Sequence, residues 1–102
     1  MANKIYDLIG KIKDRKLDKV RNKKSPHCGN QFWRCQVIIE DEPEIKEILV
    51  FECLLENKDI WQKIEQKKYI DKRCHFYCQR KPGAGQIYRL INWEYLKNHG
   101  SN

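Results

Sequence analysis

The chain has 102 residues, enough for one domain, and its 40% hydrophobic and 34% charged residues describe a globule with a strongly hydrated surface, not a fibrous or low-complexity chain. No apolar run approaches the roughly 18–20 residues of a membrane-spanning helix, and Met1-Ala2-Asn3-Lys4 lacks a secretory apolar segment, so neither membrane insertion nor secretion is expected. Lys+Arg number 21 against 14 Asp+Glu, a formal net charge of +7, and one modest core leaves little room for an enclosed active site.

In chain order, Lys4 to Ile12 (KIYDLIGKI) reads as a first strand, with Gly10 placed where a strand bulges or bends. From Lys13 to Asn30 the pattern dissolves into charge, Pro26 and Gly29, which predicts a long exposed loop. Gln31 to Ile39 alternates as a second strand, with Trp33, Cys35, Val37 and Ile39 on one face and Phe32, Arg34, Gln36 and Ile38 on the other. Asp41-Glu42-Pro43-Glu44 is a turn, and Lys46 to Leu55 is a third strand with Leu49, Phe51, Cys53 and Leu55 as its core set.

Asn57 offers an N-cap, and Ile60, Trp61 and Ile64 recur at helical spacing, predicting a short helix over about 58–67. Ile70 to Lys81 reads as a fourth strand, with Cys74, Phe76 and Cys78 inward and Arg73, His75, Tyr77, Gln79 and Lys81 outward. Pro82-Gly83-Ala84-Gly85 is a hairpin connection, and Gln86 to Trp93 is a fifth strand whose poor alternation leaves the faces of Tyr88 and Arg89 open. Trp33, Trp61 and Trp93 are assigned to the core.

The basic residues are segregated. Eight of them, Lys11, Lys13, Arg15, Lys16, Lys19, Arg21, Lys23 and Lys24, crowd one stretch opposed only by Asp14 and Asp18. A second basic stretch runs from Lys63 to Lys81, and Glu40, Asp41, Glu42, Glu44 and Glu47 form an acidic island between the two. Such a distribution suits a polyanionic partner. The five cysteines are read as reduced structural thiols: Cys74 and Cys78 share a strand face but lie about 13 Å apart, too far for one ion, so no metal or other cofactor is expected. Catalysis is not expected either, since there is no phosphate-binding glycine loop, no HExxH and no nucleophile elbow, and His75 and Cys74 point to opposite faces of one strand.

A mainly β chain of five strands with one short helix between the third and fourth predicts the five-stranded oligonucleotide/oligosaccharide-binding (OB) barrel, a single domain over residues 1–97 followed by a short polar end at 98–102. Asn3-Lys4-Ile5 through Leu8-Ile9-Gly10-Lys11-Ile12, the Pro26 and Gly29 loop, and Ile48-Leu49-Val50-Phe51 leading to a helix and a basic strand resemble the single-stranded-DNA-binding protein family. The ending Lys97-Asn98-His99-Gly100-Ser101-Asn102 carries no acidic tip, which is closer to the primosomal replication protein N group. The resemblance implies a non-catalytic, cytoplasmic, nucleoid-associated protein of DNA replication, recombination or repair. Its implied partners are single-stranded DNA (with RNA open) and replication proteins, and its implied state is a homo-oligomer or a subunit of a complex. The alternative is an accessory subunit docking on a polymerase, primase or helicase.

Single-strand binding needs cations for phosphates and flat rings for bases. Arg73, His75, Tyr77 and Lys81 on the fourth strand provide both, with Phe32 and Arg34 beside them, Tyr88 and Arg89 on the fifth strand as further contacts, and Lys16, Lys19, Arg21, Lys23 and Lys24 as a loop clamp. Tyr77 and Phe32 serve equally well in a dimer interface.

Overall fold

In the computed structural model, residues 4–21, 30–80 and 87–96 are described. The chain is mainly β: five strands, β1 (Ile5–Lys19), β2 (Gln31–Ile39), β3 (Glu47–Val50), β4 (Cys74–Arg80) and β5 (Tyr88–Tyr95), form one sheet that closes into a ring in the order β1-β2-β3-β5-β4 and back to β1. All neighbours run antiparallel except β3 and β5, where Ile48 and Leu49 lie beside Tyr88 and Arg89 in parallel. One short helix, α1 (Asp59–Glu65), falls between β3 and β4. Among the described residues no helix is long and apolar enough to cross a membrane.

Closure requires β1 to serve two partners. Ile5 to Gly10 pair with β4, and Gly10 to Lys19 pair with β2, so Gly10 faces both Cys74 and Ile39. A Cβ at Gly10 would sit 2.1 Å from the Ile38 carbonyl oxygen, so only glycine lets the strands approach this closely. Two residues on, the register slips between Ile12 and Asp14, a bulge that reverses which face each later side chain takes. Ile12 therefore points inward and so does Arg15, whose guanidinium lies 4.9 Å from the Trp33 ring centroid and donates to the carbonyls of Ile64 (2.7 Å) and Glu65 (2.8 Å) at the end of α1.

The predicted loop over Lys13 to Asn30 is instead strand as far as Lys19. Neither face of this part of β1 is fully covered, so it shows no apolar alternation, and its pairing to β2 makes it a strand. β2 matches its expected range, with Trp33, Cys35, Val37 and Ile39 buried. The third strand is shorter and in the opposite phase: Ile48 and Val50 are buried, Leu49 and Phe51 only partly, and Cys53 is exposed, while Leu55, beyond the strand, is core as expected. Its apolar run offers both phases, and the pairing of Trp33 with Val50 and of Cys35 with Ile48 selects between them. After Val50 the chain leaves the sheet through a 3-10 turn, Glu52–Leu54.

α1 buries Ile60 and Ile64, one turn apart; its N-cap position is Lys58, not Asn57, and the Asn57 side-chain oxygen accepts the Asp59 N–H at 3.0 Å from one residue earlier. β4 begins at Cys74, not Ile70, because residues 66–73 form a succession of turns. Cys74, Phe76 and Cys78 point inward as expected. A second bulge, at the step from Tyr77–Asn92 to Cys78–Leu90, leaves Ile91 as the extra residue, so Leu90 and Ile91 are both buried; this accounts for the broken alternation of β5. Trp33 is core as expected, whereas Trp61 and Trp93 are half-buried against it. The hairpin at Pro82 to Gly85 lies outside the described residues.

Gly10→Ala should lower unfolding stability by about 3 kcal/mol, near the top of the usual range for overpacking, because the obstructing atoms are backbone. Denaturant titration would test this; a variant within about 0.5 kcal/mol of the parent would show that β1 does not need the close approach.

Candidate nucleic-acid interface

Arg73, just before β4, and His75, Tyr77 and Gln79 on it lie on the outside of the ring, yet Arg73 and His75 already have carboxylate partners. Arg73 forms a fork with Glu40, Nε to Oε2 at 2.6 Å and Nη2 to Oε1 at 3.0 Å, and this holds the Glu40 carboxyl below the usual carboxylate range. His75 Nε2 lies 3.2 Å from Asp7 Oδ1, and the His75 and Tyr77 rings stack on each other at 4.3 Å and 15°. Arg34 on β2 is held between Asp18 (2.9 Å) and Glu47 (3.2 Å), and Asp18 also pairs with Arg21 at 2.9 Å. The Lys19 backbone N–H, then the Arg34 guanidinium, hold the Asp18 carboxyl low. Arg34 and its partners line a polar groove of about 260 Å³ with Asp14, Arg15, Lys16 and Gln36, in which three cations face three carboxylates. A phosphate gains little from a guanidinium that already has two carboxylates.

Three expected contact residues are enclosed. Phe32 is on the outer face of β2 but only 7% exposed, because the Phe51 ring stacks over it at 4.8 Å and 23°. Tyr88 points inward, 5% exposed, edge-on to Tyr6 at 5.6 Å. Arg89 is half-buried, paired with Leu49 on one side and Gln79 on the other, and its Nε is enclosed with no hydrogen-bond partner among the described residues. Of the contacts expected from sequence, Phe32 and Tyr88 are therefore covered in this structure and Arg89 is half-covered. Lys23, Lys24 and Lys81 lie outside the described residues.

The structure brings together a different set. Beyond Trp33 the pairing of β1 with β2 continues as a two-stranded ribbon: Asp18 opposes Phe32, Lys19 opposes Gln31, and the Val20 N–H donates to the Asn30 carbonyl at 2.9 Å. Lys19 on this ribbon is exposed and has no ion pair among the described residues; Lys16, opposite Arg34, belongs to the charge-balanced groove instead. At its base is a cleft of about 210 Å³ lined by Asn30, Gln31, Phe51, Glu52, Cys53 and Trp61. Phe51 reaches it from extended backbone between β3 and the 3-10 turn, and Trp61 because it stands in the first turn of α1, its ring 5.8 Å from Trp33. Two aromatic walls, two amides and a neighbouring lysine can hold a planar, hydrogen-bonding ring attached to an anion. Sequence reasoning placed Phe51 and Trp61 in the core; Phe51 instead keeps the outward phase of Leu49 on extended backbone, a phase the apolar run does not distinguish from the other.

Burial pushes the Cys35 and Cys78 thiols up to about 12 and the Cys74 thiol up to about 11, so all three stay protonated at neutral pH. Among the described residues no three His, Cys, Asp or Glu side chains gather as a ligand set for a metal. Comparison of the chain with protein-family models, curated proteins and solved structures finds no match.

Near pH 8, iodoacetamide should label Cys53 in the folded protein and change the fluorescence of Trp61 in the same cleft, while Cys35, Cys74 and Cys78 react only after unfolding. Peptide mass mapping reads the order, and labelling of Cys35 at the rate of Cys53 would mean that the ring opens.

Proposed function

We propose that this chain is an OB-fold module that binds single-stranded nucleic acid without catalysis, DNA being the first ligand to test, in replication, recombination or repair. A five-stranded closed ring with its helix between the third and fourth strands agrees with the OB plan, on which single strands are commonly bound. One observation carries the reading: Lys19 opposes Gln31 at the mouth of the Phe51–Trp61 cleft, so a cationic ribbon leads into an aromatic slot. Phosphates interact with the ribbon, a base enters between the rings, and the Asn30 and Gln31 amides meet the base edge. RNA offers the same rings and phosphates, so both polymers belong in the assay.

Fluorescence anisotropy with single-stranded DNA, RNA and duplex DNA of one sequence tests this. Phe51→Leu should weaken single-strand binding by about 1–3 kcal/mol and leave the salt dependence unchanged. Lys19→Gln should flatten the slope of log K against log salt by about 0.7, one phosphate contact, and Lys16→Gln, in the charge-balanced groove, should change it less. A parent protein that binds none of the three polymers would refute the reading.

A second reading rests on the outer face of β1 and β4. There Arg73 is neutralised by Glu40, His75 faces Asp7 and Ile5 is 45% exposed, and on the adjoining β2, opposite Lys11, Ile38 is 58% exposed. A face that is apolar and charge-compensated suits another protein surface better than a polyanion. If Tyr77→Ala leaves oligonucleotide affinity intact but dissociates an oligomer in light scattering, this face is an interface between copies. An unchanged mass and unchanged affinity would remove Tyr77 from both readings.

A further inference from the structure

We propose that the turn between α1 and β4 carries a second base-stacking subsite, with Tyr95 and Tyr69 as its platform and Lys67, Lys68 and Lys72 as its phosphate contacts. A longer single strand would then engage both the cleft and this turn. The proposal rests on the reading of the protein as a single-strand binder and adds a site that the first reading does not require.

The rings are arranged as a stack that continues outward. Trp93 is half-buried against the core, Tyr69 meets it edge-on at 5.7 Å, and Tyr95 lies nearly parallel to Tyr69 at 4.8 Å and 18°. Trp93 and Tyr69 pack on the core cluster; Tyr95 does not belong to it and stays 37% exposed. The core therefore accounts for two of the rings, and the third extends the stack into solvent, where a base can continue it.

Three lysines near the stack have no ion pair among the described residues, unlike Arg34 and Arg73. Within residues 66–73 the one carboxylate is Asp71, which is bound by Lys13 at 2.5 Å, and its carboxyl is held low chiefly by that contact. Lys67, Lys68 and Lys72 are exposed and have no ion pair among the described residues, and the Lys68 ammonium lies 5.6 Å from the Tyr69 ring centroid. Cations without carboxylates beside an exposed ring fit a phosphodiester strand better than an apolar protein surface.

The turn is also held in place. Tyr69 is in the left-handed region at φ 68°, between Lys67 at 58° and Asp71 at 65°, a conformation disfavoured for a bulky side chain. It is fixed by the Asp71 N–H to the Ile12 carbonyl (2.8 Å) and the Lys72 N–H to the Tyr69 carbonyl (3.1 Å). The platform is thus positioned before any ligand arrives, which reduces the ordering cost of binding.

The test uses the intact chain with fluorescein-labelled oligothymidylates of about 5 and about 16 nucleotides, near the ends of the usual range for one OB fold. Tyr95→Leu should weaken the longer oligonucleotide about tenfold and leave the shorter one unchanged, with a parental melting temperature. Lys67→Gln, Lys68→Gln and Lys72→Gln together should flatten the salt slope for the longer one by about 2. A Tyr95→Leu protein that melts normally and binds both lengths at parental affinity overturns the subsite and leaves the cleft standing. A parent that binds neither length overturns the underlying reading instead. Should Tyr95→Leu fold poorly, photo-cross-linking of the parent to oligonucleotide carrying 4-thiothymidine decides: adducts on Tyr95 or Tyr69 support the subsite, and adducts confined to the cleft overturn it.

Discussion

The ring closes because one strand is shared by two neighbours, and that sharing passes through Gly10. Its backbone faces Ile39 on one side and Cys74 on the other, with the Ile38 carbonyl in the space a side chain would fill. Separate β2 from β4 at this point and the interior that buries Phe76, Ile48 and Val50 would open at its seam. The bulge just beyond adds a second consequence. By reversing the phase of β1 it turns Arg15 inward over Trp33 and onto the last carbonyls of α1, adding a cationic donor at the negative end of the helix. Lys13, at the bulge, reaches Asp71 in the turn after α1. A short irregularity in one strand thus fastens the helix and the turn that follows it.

The same geometry decides where the positive charge is felt. Exposed ion pairs contribute little to stability, about 0–1 kcal/mol each, but they determine which cations remain available to an outside anion. Arg34, Arg21 and Arg73 are matched to Asp18, Glu47 and Glu40, all within 3.2 Å. Lysines without partners among the described residues are left on the β1–β2 ribbon and on the turn after α1, each beside aromatic rings. The outer face of β1, β2 and β4 around Arg73 and His75 is by contrast compensated and carries the exposed Ile5 and Ile38. Distinct surfaces of one small domain are therefore suited to different partners.

Much of the strand plan was legible because burial imposes period two. The alternation of Trp33, Cys35, Val37 and Ile39, and of Cys74, Phe76 and Cys78, follows directly from one face being in the core. The pairing at Ile60 and Ile64 marked the helix for the same reason. Where both faces are wet, as from Asp14 to Lys19, or both phases apolar, as from Ile48 to Leu55, the pattern carries no choice and pairing with a neighbouring strand makes it.

The site was less legible than the fold. Composition and spacing determined that this chain is a basic, mainly β domain with interleaved rings and cations, since those depend on residue type and period alone. Only the tertiary structure decided which of them face a ligand. It placed Phe51 over Phe32, gave Arg34 and Arg73 to carboxylates 13–33 residues away in sequence, enclosed Tyr88 behind Tyr6, and brought Tyr69 and Tyr95 into one stack. An ion pair or a ring stack is a property of two side chains, and the partner of each is set by strand register and bulges that no single stretch of sequence contains.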